Sequence, residues 1–159
     1  YILAYTESRI KDIAMKPNYL KLEFLSLPEN QAFARDAVAA FCLPLNPTLS
    51  QLSDVKTAVS EAVTNCTVHA YRGTCGIVTV ECRTDCSVLH IKISDNGAGI
   101  ADVNAAVQPF FTTLPSDERS GMGFTIMQTF MDEFSVQSKE GEGTLVCMSK
   151  RFEPEVENA

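Results

Sequence analysis

At 159 residues with 45% hydrophobic content, the chain has room for one domain that buries about two-thirds of its unfolded surface. A formal net charge of −7, from 20 acidic against 13 basic side chains, argues against direct nucleic-acid binding, which needs a basic footprint. No apolar run reaches the roughly eighteen residues that span a membrane, and the six cysteines (42, 66, 75, 82, 86 and 147) contain no C-x-x-C, so reduced thiols in a cytoplasmic setting are expected rather than a disulfide scaffold or a zinc site.

Along the chain, Met15-Lys-Pro-Asn18 reads as a natural start, so residues 1–14 are expected to be an extension outside the fold; they lack the apolar core of a signal peptide. Residues 15–152 form the expected domain, and the acidic segment 153–159 is expected to be a mobile tail. A strand over 20–27 leads to a helix over 30–41 that carries Arg35, by itself an ordinary surface charge. A second helix is expected over 52–71, with Ala58, Val59, Ala62 and Val63 turned to a core. Glu61 and Asn65, four residues apart, then share one face of it. A carboxylate can act as a general base, and a neutral amide oxygen is a hard ligand suited to Mg²⁺. An isolated E-x-x-x-N is more often two solvated polar residues, so the weight comes from the residues downstream of it.

Strands are expected over 77–83 and 88–94, joined by Arg83-Thr-Asp85 as a tight turn that could bring Cys82 and Cys86 near each other. Apolar residues at 89, 91 and 93 alternate up to Asp95-Asn-Gly-Ala-Gly99. A buried acid at the end of such a strand would accept a hydrogen bond from the exocyclic amine of adenine, a contact that guanine cannot offer there. Gly97 and Gly99 permit positive φ or close backbone approach. A simple Asn-Gly hairpin is the alternative, but no alternating run comes after it: 101–107 reads as helical and 109–115 as a loop. Gly121 and Gly123 then open an apolar helix over 120–131, with Phe124, Met127, Phe130 and Met131 inward and free N–H groups at its start suited to phosphate. Closing strands are expected over 134–138 and 144–149. The alternation fits α+β architecture, with helices packed on one face of a single-layer mixed, largely antiparallel sheet.

No G-x-x-x-x-G-K-[ST] is present, and Asp102 stands where a dinucleotide fingerprint wants a small residue, so neither P-loop nor Rossmann chemistry is supported. The set of helix Glu/Asn, strand Asp-x-Gly-x-Gly, intervening lid and Gly-x-Gly helix resembles the ATP-binding superfamily of DNA gyrase, Hsp90, histidine kinases and MutL, a Bergerat-type sandwich. Within it, Phe33-Ala-Arg35, Val59-Ser-Glu-Ala-Val-Thr-Asn65, Phe111-Thr-Thr113 and Glu118-Arg-Ser-Gly-Met-Gly-Phe-Thr-Ile-Met127 are similar to the small anti-sigma serine kinases, over about residues 22–150.

That resemblance implies an ATP-dependent protein serine kinase of non-eukaryotic fold, a homodimer with Mg²⁺ and ATP. It would hold a sporulation sigma factor inactive and phosphorylate a serine of an anti-anti-sigma factor. It implies Glu61 as general base, Asn65 as the Mg²⁺ ligand on the phosphates, and Asp95 as the adenine reader. Gly97 and Gly99 would shape the floor, Thr112, Thr113 and Arg119 would belong to the lid, and Gly121 and Gly123 would be backbone donors. Arg119 would stabilise the transferring phosphoryl group, for which a planar cation suits better than Lys. Arg35 would touch the sigma factor. A kinase of a general stress response and a nucleotide-gated sequestering module without transfer are the alternatives. Two positions depart from the family pattern: Leu114, where a basic lid residue is frequent, and Ala70, where Gly is frequent and little effect is expected. His69 reads as a packed or capping residue, not a phosphoacceptor.

Overall fold

The computed structural model describes residues 17–109 and 121–152. Five strands, β1 (Asn18–Leu25), β2 (Ile77–Asp85), β3 (Val88–Asp95), β4 (Glu133–Lys139) and β5 (Gly143–Arg151), form one sheet in the order β1-β2-β3-β5-β4. Every pairing among them is antiparallel. Helices α1 (Glu29–Cys42), α2 (Leu49–Asn65) and α4 (Gly123–Phe130) form the second layer, and α3 (Val103–Ala106) is a single turn. Between the layers lie the buried side chains of Val38, Val59, Val80, Ile91, Met127 and Phe152. Each is worth about 1.5–3 kcal/mol on leaving water.

The period of two along the strands decides what meets the helices. Leu89, Ile91 and Ile93 of β3 point inward, and the same alternation turns Asp95 inward at the end of the central strand. On β5, Val146 and Met148 do likewise, and Thr144 shares their face. The outward face of β2 carries Thr79, Glu81 and Arg83.

In α2 the buried stripe runs Val55, Ala58, Val59, Ala62, Val63 and on to Cys66. Glu61 and Asn65 each precede a stripe residue by one position, which places them together at the stripe's edge. The helix begins at Leu49, three residues before the expected start. A capping box sets that boundary: Gln51 N–H donates to Thr48 Oγ1 (3.2 Å) and Thr48 N–H donates to Gln51 Oε1 (2.9 Å). Leu49 itself is 87% exposed, so apolar periodicity alone does not reveal the first turn. The α-helix ends at Asn65 and continues as a π-helical turn, Cys66–Ala70.

The turn expected at Arg83-Thr-Asp85 is instead strand. Thr84 is buried on the core face and Asp85 pairs with Val88, so Cys86 and Ser87 make the turn, with Cys86 at φ 52°. Cys82 is buried, Cys86 is exposed, and all six cysteines are free thiols. Residues 1–14 and 153–159, for which an extension and a tail are expected, lie outside the described residues. No described helix is long and apolar enough to cross a membrane.

Candidate functional site

Between α2, the end of β3 and the start of α4 lies a cavity of about 700 Å³, the size of a small-ligand site. Glu61, Asn65, Asp95, Gly99, Gly121 and Gly123 all line it. At one wall Asp95, 6% exposed, accepts the Gly97 N–H at Oδ1 (2.9 Å). Burial pushes its carboxyl above the usual range, while bonds from the Gly97 amide, the Cys66 thiol and the Thr144 amide hold it down. The Cys66 thiol is pushed well up, first by burial and then by the Asp95 charge, and so stays protonated.

The loop after Asp95 is clamped from two sides. Ala98 N–H donates to the Ala70 carbonyl (2.7 Å), and Asn96 N–H donates to the Tyr71 hydroxyl (3.1 Å), which itself donates to the Ile77 carbonyl (2.6 Å). From the other side, Gly141 N–H donates to the Ala98 carbonyl (2.7 Å) and Ile100 N–H to Ser138 Oγ (2.8 Å). These contacts leave no space for a side chain at either expected glycine. A Cβ on Gly97 would stand 2.3 Å from the Ala70 carbonyl oxygen, and one on Gly99, at φ +69°, 2.0 Å from that of Lys139. Ala70 thus packs against the loop through its backbone carbonyl, a contact that is the same with Gly at this position.

At the other named pair, a Cβ on Gly123 would lie 3.2 Å from Glu61 Oε2 and 3.4 Å from Asn65 Oδ1. The first residue of α4 therefore abuts both polar side chains of α2, and its lack of a side chain keeps the carboxylate and the amide open to the cavity. Gly121, at φ +62°, makes the backbone turn just before. Among the described residues no group of three or more His, Cys, Asp or Glu could chelate a metal. Two hard oxygens, one charged and one neutral, fit Mg²⁺ that arrives already held by phosphates and waters.

Arg35 does not reach the cavity. On α1 its guanidinium pairs with Asp36 (Nε to Oδ1, 3.0 Å), which Lys56 also approaches at 3.1 Å. The Arg35 hydrogen bond, then that of Lys56, holds the Asp36 carboxyl down to about 2. Thr112, Thr113, Arg119 and the departing Leu114 lie outside the described residues. His69 lines the cavity. Cys66, Ser138, Gly143 and Thr144 were not singled out from the sequence. The pair Gly141 and Gly143 between the closing strands is a turn signal that could have flagged the second of them, whereas the other contacts cross between distant parts of the chain and leave no local trace.

The two-layer fold and this cavity define a histidine kinase-like ATPase domain, and the family model of that description matches residues 24–150. The chain is 53% identical over 133 residues to an anti-sigma F factor of Caldanaerobacter subterraneus, covering 84% of this chain and 93% of that one. It is 49% identical over 138 residues to an anti-sigma F factor of Clostridium kluyveri, covering 87% and 97%. The chain belongs to the anti-sigma F factor family. Solved structures share the fold at low identity. The RsbU and RsbW domains of a Mycobacterium tuberculosis protein superpose with a TM-score of 0.60 at 15% identity, over 87% of this chain and 33% of that one. The mycobacterial sensor histidine kinase MprB gives 0.51 at 22% identity, over 65% and 73%.

Proposed function

We propose that this chain binds a sporulation sigma factor and keeps it inactive, and that with Mg-ATP it phosphorylates a serine of an anti-anti-sigma factor. The convergence of Glu61 Oε2 and Asn65 Oδ1 on Gly123, in the cavity that Asp95 also lines, is the observation that carries this reading. A site that only bound nucleotide would have no need of a base beside the phosphate-binding turn. The relatives' name supports the sigma factor as partner.

In the proposed reaction Asp95 accepts the adenine amine, Gly97 and Gly99 keep the floor open, and the N–H groups around Gly121 and Gly123 receive phosphate oxygens. Asn65 would hold Mg²⁺, which when bound neutralises charge on the β- and γ-phosphates. Glu61 takes the proton of the serine hydroxyl as its oxygen bonds to the γ-phosphorus, and the bond from that phosphorus to the bridging oxygen breaks to release ADP. Arg119 stabilises the charge on the transferring group, and Thr112 and Thr113 belong to the lid over it. The phosphoserine carries about two negative charges, which undo the contact with the kinase. The chain acts as a cytoplasmic homodimer, and Arg35 touches the sigma factor.

The test is to incubate the protein with Mg-ATP and the anti-anti-sigma protein of its own organism, beside Glu61→Gln, and to read intact mass. A gain of one phosphate, absent with the variant, is the expected result. Tight ATP binding without transfer would leave a nucleotide-gated sequestering protein and overturn the kinase.

A further inference from the structure

Past the π-helical turn the chain reverses over Tyr71–Thr74, closed by the Thr74 N–H on the Tyr71 carbonyl (2.8 Å). Both central residues hold positive φ, Arg72 at 34° and Gly73 at 84°, the pattern of a type I′ turn. Such a turn favours Asn, Asp or Gly at its first central position, because most side chains are strained there. Arg72 occupies it instead. A residue kept in such a backbone region points to work done by its side chain.

Packing does not call for an arginine at this turn. Arg72 is exposed, and no atom lies within 4 Å of the absent Cβ of its neighbour Gly73. Among the described residues Arg72 enters no ion pair. It does line the cavity, where Glu61, Asp95, Asp102 and Glu140 supply carboxylates and Arg72 is the one Lys or Arg among the described lining residues.

Its place along the cavity decides what it can meet. The residues just before it hold the loop that follows Asp95: the Ala70 carbonyl accepts the Ala98 N–H (2.7 Å) and the Tyr71 hydroxyl accepts the Asn96 N–H (3.1 Å). Arg72 therefore stands at the Asp95 end. It follows Asn65 by seven positions, roughly 10 Å at the rise of a helix, which sets it apart from the phosphate end proposed at Glu61 and Asn65. The ligand group that meets the Asp95 end is the base. A planar guanidinium lies flat on an aromatic face, a contact that a Lys ammonium does not reproduce.

We propose that Arg72 is a further binding residue of the nucleotide site, laying its guanidinium on the face of the purine whose edge Asp95 reads. This rests on the reading of the cavity as an adenine site. It gives a role to a side chain that touches neither the phosphates nor the reacting atoms.

The experiment sets stability against binding. Asn suits the turn better than Arg, so nucleotide-free Arg72→Asn should melt no lower than wild type. Its Kd for ATP, read by calorimetry, should nonetheless rise about 3- to 10-fold, the range of one stacked cation. The factor should be similar at about 0.05 M and about 0.5 M salt, since a contact at van der Waals distance is screened little. Arg72→Lys keeps the charge without the plane and should recover little of the loss. Unchanged ATP affinity in Arg72→Asn would overturn the proposal and leave the adenine reading standing. So would an effect that vanishes at high salt or that Lys restores, either of which would make Arg72 a distant charge for the phosphates. An Arg72→Asn protein that melts lower and binds less would make the residue structural and refute the proposal as well. A wild type that binds GTP as tightly as ATP would overturn the adenine reading and the proposal with it.

Discussion

Gly143 and Asp95 approach so closely across the β3–β5 ladder that a Cβ at 143 would stand 2.0 Å from the Asp95 carbonyl oxygen. Gly143 also holds φ +87°, so two independent demands exclude a side chain there. Gly141 separates them: its φ is +78°, but no atom lies within 4 Å of its absent Cβ. Gly141→Ala should cost about 1–2 kcal/mol, from backbone strain alone. Gly143→Ala should cost about 3 kcal/mol or more, because strand backbone has to move. It should also weaken ATP binding, since the backbone that moves carries Asp95. Urea unfolding and ATP titration of both variants check this; equal costs would refute the steric account.

Asp95 should set opposite trends for stability and for binding. Its folded-state carboxyl titrates above the unfolded value, because burial penalises the charge. The stability linked to this group is fully present below the unfolded pKa and is lost as pH rises through the raised folded one. Asp95→Asn removes the penalty, so the nucleotide-free variant should be at least as stable as wild type at neutral pH. Its ATP affinity should nonetheless fall about tenfold or more, the worth of a hydrogen bond to a charged group. In wild type, ATP affinity should decline as pH falls through the raised pKa. Thermal melts and calorimetry from about pH 4, the ordinary Asp range, up to about pH 8 read both effects; a destabilised Asp95→Asn with normal binding would contradict them.

Asn65 bears on the metal. If its Oδ1 holds Mg²⁺ against the phosphates, ATP should bind wild type about tenfold more weakly when Mg²⁺ is chelated, and Asn65→Ala should erase that difference. Titrations with and without chelator check it. A variant that still gains affinity from Mg²⁺ would place the ion elsewhere.

Lys150 ties three elements together. From β5 its Nζ reaches Asp54 Oδ2 of α2 (3.1 Å) and the Phe130 carbonyl at the end of α4 (2.7 Å). The pair is mostly shielded, with side-chain exposures of 13% and 24%, so it is not a surface bridge of negligible worth. Lys150→Met should cost about 1–3 kcal/mol by leaving the Asp54 charge and a helix-end carbonyl unpaired. Denaturant unfolding gives the number, and a cost near zero would mean that water replaces the ammonium at both partners.

The parts of the site that obey a local rule were legible in the sequence. Four-residue spacing placed Glu61 with Asn65, and strand alternation turned Asp95 inward with Leu89, Ile91 and Ile93. The β2–β3 turn was misplaced because Arg83-Thr-Asp85 has turn composition. Thr84 nevertheless keeps the inward parity of Val78, Val80 and Cys82, and a parity rule applied through residue 85 would have moved the turn to Cys86. The partners of Asp95 were not legible. Thr144, 49 positions away in sequence, pairs with it across the β3–β5 ladder, and Cys66, 29 positions away, shares its cavity wall, because α2 and β5 both border the end of β3. Gly97 was expected to serve by positive φ or close approach, and it is the Ala70 backbone that decides for the second.

The double clamp on residues 96–100 bears on the entropy of ligand capture. A loop of that length left free would lose roughly 1–2 kcal/mol per residue on closing around a nucleotide. Here the bonds from Ala70, Tyr71, Ser138 and Gly141 fix it from both flanks before any ligand arrives. Its disorder is therefore surrendered once, when the chain folds, and the Asp95 end of the cavity meets each incoming ligand already in shape.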